Sequence, residues 1–212
     1  MIVQGPMRLH ILAFRTSGAA LRFPCEQGTL RSISMTRIPV LSTSEEVEKY
    51  FPIVGAFHRY WEALAVGKAP ERHLVDPSKI RQLLPNLMVV EFESNPFRVR
   101  YRLTGTLVDF ATGFNLTGHY LDEYVVEPIA ADIRRIIDAY ERVYRSAVPY
   151  IGVYTWAGKA RPMQVGYGIF PVLVNGHLRQ AIVVEEEWHP DPHEEIATWK
   201  DAIDSGALKS AT

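Results

Sequence analysis

Cysteine is nearly absent from this chain, Cys25 being the only one. A single thiol forms no intrachain disulfide and assembles no thiolate zinc site, which suits a reducing cytoplasm. Excess charge is equally scarce, with a net of −1 at pH 7 over 212 residues. Such a balance gives no general pull toward nucleic acid or anionic lipid, and neither is expected as a partner. Long apolar runs are missing too. Met7 to Leu12 is too short to span a bilayer, and no hydrophobic stretch leads to a small-residue cleavage site. Without internal repeats or low-complexity tracts, the chain reads as one globular domain with appendages.

Residues 1–41 hold a single acid, Glu26, among several basic residues, and are broken by glycine and proline. They read as a flexible extension, with Met35 an alternative start. Ser42-Thr43-Ser44-Glu45 then offers capping-box choices ahead of an apolar-periodic run, so residues 42–70 form an amphipathic N-terminal helix region. Phe51, Val54, Phe57, Tyr60, Trp61 and Leu64 recur at three- and four-residue intervals, and Pro52 either starts a second segment or bends the first. This aromatic stripe needs cover, and a second copy of the chain is one source of it; a homodimer is therefore expected.

Further along, Asp76-Pro77-Ser78 places a cap and a first-turn proline at the start of a short helix. Leu87 to Phe92, the turn Ser94-Asn95-Pro96 and an alternating segment from Phe97 predict a β-hairpin. Thr106 and Asp109 have capping spacing, and Gly113 and Gly118 keep the following helices short. Pro128 to Arg145 carries a helical apolar stripe. Three strands follow, Tyr150 to Trp156, Pro162 to Val174 and Leu178 to Trp188, the last two joined by Asn175-Gly176, which favours a type I′ turn. Asp191 opens a C-terminal helix and tail, residues 191–212. The order helix, β-β, helices, β-β-β is an α+β plan, a five-stranded antiparallel sheet with helices mainly on one face.

Arg100-Tyr101-Arg102-Leu103-Thr104-Gly105-Thr106, followed by Gly113-Phe114, Leu116-Thr117-Gly118 and Leu121-Asp122-Glu123, resembles the PAS superfamily, in particular single-PAS bacterial sensor proteins. Thr112 stands where many members have an aromatic. The resemblance implies a PAS-like domain over residues 71–190, acting as a sensor or interaction module without catalytic residues, and a pocket between the sheet and the helices over it. Tyr101, Phe110, Phe114, Tyr140, Tyr154, Met163, Val165 and Tyr167 are the candidate lining residues. Aromatics with a polar tip suit a small ligand, although they serve equally to fill a core. No kinase, cyclase or DNA-binding segment is recognisable, so any signal is expected to leave through dimerisation or a separate partner protein.

The resemblance names no cofactor. His119 lies where some PAS proteins carry a haem-binding histidine, but without a surrounding motif it reads as a surface-turn residue. Flavin photochemistry needs a reactive cysteine inside the domain, and Cys25 lies outside it. A small organic ligand remains the open choice. His189, His193 and Glu185-Glu186-Glu187 do not make a metal cluster, because consecutive strand residues face opposite ways; the acidic run reads as a solvated strand end. Asp109 with His119, or His58 with Glu62, lacks a nucleophile or third orienting group. The row Arg98, Arg100, Arg102 reads as a solvent-facing face pairing with cross-strand acids. The rivals are a small isomerase- or hydratase-type enzyme, which requires an acid–base pair inside the pocket, and a structural interaction domain with a filled core.

Overall fold

The structure, a computed structural model, describes residues 10–12, 49–113, 115–126, 129–156 and 163–187. Its centre is one sheet built from β1 (His10–Leu12), β2 (Leu87–Ser94), β3 (Phe97–Thr104), β4 (Tyr150–Trp156), β5 (Met163–Val174) and β6 (His177–Glu187). The strand order is β1-β4-β5-β6-β2-β3. Five strands are antiparallel, as expected, and β1 adds a sixth, parallel to β4 with His10 opposite Tyr150. Part of the segment read as a detached extension therefore lies on the sheet edge. The remainder of residues 1–41 and the expected C-terminal helix lie outside the described residues.

Local chemistry explains the joints. Asn175 and Gly176 both hold positive φ, 54° and 77°, as a type I′ turn between β5 and β6 requires. Asp76 accepts a hydrogen bond from the Ser78 N–H at 2.9 Å, capping the 3-10 segment Pro77–Asn86. The helix α1 (Pro52–Leu64) begins at Pro52, which occupies the first turn where a missing N–H costs nothing. Helix α2 (Thr106–Thr112) follows β3, and the long helix α3 (Ala130–Ser146) precedes β4. The expected Thr106–Asp109 capping pair is not formed. Instead the Thr104 hydroxyl donates to Asp109 at 2.6 Å, tying the end of β3 to the first turn of α2. Gly105 is needed between them, because a Cβ there would overlap the carbonyl oxygen of Pro85.

The sheet is covered on both faces. On the outer face Phe51, just before α1, and Val54, Phe57 and Trp61 within it, all at 1% exposure or less, pack against Ile151, Phe170, Val172, Ile182 and Val184. The aromatic stripe thus finds its cover within its own chain. Glycine makes this possible: a Cβ on Gly166 would overlap the Phe51 ring, and one on Gly168 would come within 3.0 Å of Val54. The Trp61 indole N–H donates to the Pro171 carbonyl at 2.8 Å, fixing the far end of the helix. On the inner face α3 and the short helices pack Ile133, Tyr140, Val143, Val108 and Leu121 over Met88, Val90, Tyr101, Tyr167, Ile169 and Val183.

Candidate functional site

The inner face gathers tyrosines from four elements. Tyr101 comes from β3, Tyr140 from α3, Tyr154 from β4 and Tyr167 from β5, and all but the partly exposed Tyr154 are buried. Register sets their neighbourhood: Tyr167 pairs with Gly152 on one side and Glu185 on the other. Gly152 leaves the space that the rings of Tyr150 and Tyr167 take, since its missing Cβ would lie 2.9–3.0 Å from both. Those two rings are 5.9 Å apart, and Tyr154 meets Tyr167 edge-on at 5.5 Å. Val165, two residues before Tyr167 on β5 and opposite Tyr154, is buried.

Of the candidate lining residues, then, the structure brings together Tyr101, Tyr140, Tyr154 and Tyr167, with Val165 beside them. Phe110 does not join them; it stands 66% exposed on α2. That helix turns Val108 inward, and a residue two further along projects from the other side. Phe114 and the side chain of Met163 lie outside the described residues.

Glu185 is the residue that sequence reading missed. The acidic run is half-buried, not fully solvated: alternation along β6 turns Glu185 to the inner face with Ala181 and Val183, and Glu186 to the outer face with Ile182 and Val184. Burial pushes the Glu185 carboxyl up to about 7, against a hydrogen bond from Tyr154 that favours its ionised form. The four tyrosines feel the same environment. Burial raises the hydroxyls of Tyr101, Tyr140, Tyr154 and Tyr167, and Glu185 adds to the effect at each. The Tyr150 hydroxyl is also buried, approaching that of Tyr167 without the alignment of a full hydrogen bond. The result is one carboxyl of near-neutral affinity for its proton, set among hydroxyls that keep theirs.

Glu186 has a different task. Its carboxylate accepts from the N–H groups of Ile53 and Val54 at 2.8 and 3.3 Å, satisfying donors at the start of α1 where the helix has none of its own to offer them. Sequence carried a signal for both placements. Ile182-Val183-Val184 is apolar on both faces, so the strand is covered on both, and the residues continuing it face the same two layers.

The other candidates lie away from this cluster. His119 is exposed and pairs with Glu123 at 2.9 Å. His58 is buried on the outer face beside Phe170 and 3.4 Å from Glu62; burial lowers its proton affinity more than Glu62 raises it. The arginine row behaves as a paired face: Arg98 grips Asp122 through two nitrogens, Arg102 reaches Glu91 at 3.5 Å, and Arg98 and Arg100 lie over the Tyr120 ring at 3.6 and 5.9 Å. Tyr120 in turn donates to Glu93 at 2.8 Å. Among the described residues no three His, Cys, Asp or Glu side chains are grouped to hold a metal ion. No helix among them is long and apolar enough to cross a membrane.

A family model described as a PAS domain matches residues 52–163, just over half of the chain. The curated proteins hold no match. Among solved structures, the PAS domain of Bordetella pertussis BvgS is similar at 19% identity, covering 60% of this chain and 96% of its own, with a TM-score of 0.43. A light-oxygen-voltage domain studied with a flavin analogue is similar at 14% identity, covering 61% of this chain and 97% of that one, TM-score 0.39. An RNA-binding light-oxygen-voltage receptor follows at 12% identity, 56% and 35% coverage and a TM-score of 0.36. With an antiparallel five-stranded core, short helices and a long helix over one face, and a family match running from α1 to the start of β5, this chain belongs to the PAS domain family.

Proposed function

We propose that this PAS domain is a sensor module that takes a small molecule against the inner face of its sheet and passes the change to a partner protein or a second copy, in a reducing cytoplasm. The observation that carries the reading is Glu185: a half-buried carboxyl on the inner face, opposite Tyr167 in the β5–β6 register and hydrogen-bonded by Tyr154. A domain needing only to be stable gains nothing there, since an apolar side chain of similar volume avoids the desolvation cost. Polar groups converging within an apolar surround are what a ligand site requires.

Native mass spectrometry of the full chain, intact and then after denaturing extraction, tests it. A retained small molecule is expected, and Val165→Trp, which sets a bulkier side chain opposite Tyr154, lowers its retention while the fold persists. Tyr154→Phe removes one hydroxyl and weakens retention by about 1 kcal/mol. If folded Val165→Trp retains the same ligand at the wild-type ratio, the inner face is not the site.

A second reading, an isomerase-type enzyme, draws on the same observation, because Glu185 and Tyr154 form the acid–base pair such an enzyme needs. The two separate on the extracted molecule. A sensor returns one unaltered molecule from wild type and the same molecule, at lower occupancy, from Glu185→Gln, whereas an enzyme returns product from one and substrate from the other.

A further inference from the structure

From the charge balance of the inner face we infer the class of ligand: a small organic cation, an amine whose ammonium meets Glu185 while its carbon skeleton lies against the tyrosine rings. This rests on the reading of that face as a ligand site. Glu185 stands opposite Tyr167 in the β5–β6 register, on the face that carries Tyr101 of β3, Tyr140 of α3 and Tyr154 of β4, whose ring meets that of Tyr167 at 5.5 Å; it acts on all four hydroxyls, and Tyr124 of the 3-10 turn Leu121–Tyr124 acts on Tyr101. None of these carries positive charge. Arg142 on α3 lies 5.7 Å from the centre of the Tyr150 ring and bears on Tyr150 and Tyr167, not on Glu185.

Among the described residues the carboxyl therefore has a hydrogen-bond donor but no counter-ion. A ligand bringing an ammonium supplies one, and restores to the carboxylate what burial took away. The same charge is welcome on the faces of the surrounding rings, whose π-electrons attract cations most when water is excluded. A carboxylate or phosphate ligand could accept from the tyrosine hydroxyls, but it would meet an acidic group and, among the described residues, no cation acting on that group to balance it.

Any molecule that co-purifies is read first. An amine supports the inference; an anion without an amine overturns it and leaves the site reading intact. If nothing co-purifies, full-length protein is titrated by calorimetry with three probes of one shape, benzylamine, benzyl alcohol and benzoate. Benzylamine is expected to bind best at pH 8, to lose about ten-fold in affinity at pH 6 as Glu185 takes a proton, and to lose at least as much in Glu185→Gln at pH 8. Benzyl alcohol should be indifferent to both changes. The pH arm uses wild type, so the test stands even if the variant folds poorly. Benzoate binding as tightly as benzylamine, or amine binding unmoved by both pH and the variant, overturns the inference while the site survives. Binding by no probe, with no co-purified molecule, overturns the site reading itself.

Discussion

Replacing Glu185 by Gln should make this protein more stable at pH 8 and leave it nearly unchanged at pH 5. The carboxyl is held near 7 in the folded chain against 4.5 outside it. At 1.36 kcal/mol per unit, its ionised form costs the fold about 3 kcal/mol. Because the folded affinity for the proton is raised, the native state binds more protons than the unfolded chain between those two values. Stability from this group is then greatest below about pH 4.5, falls as pH rises toward 7, and levels off above about 8. Gln removes the titration, although its amide still needs partners among the hydroxyls, so 3 kcal/mol is a ceiling. For a chain of this size that corresponds to roughly 6–12 °C in Tm. Buried His58 titrates in the opposite sense: its lowered affinity makes stability rise with pH toward 6.5. A wild-type profile alone would blend the two slopes. The measurement is thus the difference between wild type and Glu185→Gln in urea or thermal melts from pH 5 to 8.5, in which His58 cancels. A difference that does not change with pH would refute the reasoning.

Gly166→Ala should lower stability by about 1–3 kcal/mol in urea melts, because the new methyl and the Phe51 ring cannot share their space. Trp61→Phe leaves the buried Pro171 carbonyl without its donor and should cost about 1–3 kcal/mol by the same assay. Glu186→Ala strips the start of α1 of its acceptor; hydrogen exchange should quicken at Ile53 and Val54, with a stability loss of about 1 kcal/mol. Starting the chain at Met35 removes β1, so exchange should rise at the Tyr150–Gly152 edge of β4 while Tm moves by no more than about 2 °C.

Elements whose identity depends on neighbours in sequence were legible before the structure. The Asn175-Gly176 turn, the Asp76 cap and the stripe of α3 each rest on residues within one turn or hairpin of one another. Facing tyrosines were also legible, because strand alternation and element order bring Tyr101, Tyr154 and Tyr167 to one side. What escaped depended on a second layer. The acidic run was read by its charge, yet its fate was set by α1 covering the other face of the sheet, a contact made between residues more than 130 apart in the chain. Phe110 was read by its hydrophobicity, yet seven-residue α2 turns Val108 inward and leaves no room for a second inward face.

The peptide bond joining Glu185 to Glu186 sends one carboxyl to each layer of the domain. A slip of β6 by a single residue against β5 or β2 would exchange these destinations, as it would for every side chain along the strand. Glu186 would enter the tyrosine layer and Glu185 would turn toward α1. Because the two acids are chemically alike, such an exchange would still leave one carboxyl in each layer, and the apolar residues before them serve either face equally well. The pair therefore cannot hold the strand in register by itself; that falls to the Asn175-Gly176 turn, whose two-residue length fixes which residues of β5 and β6 stand opposite each other.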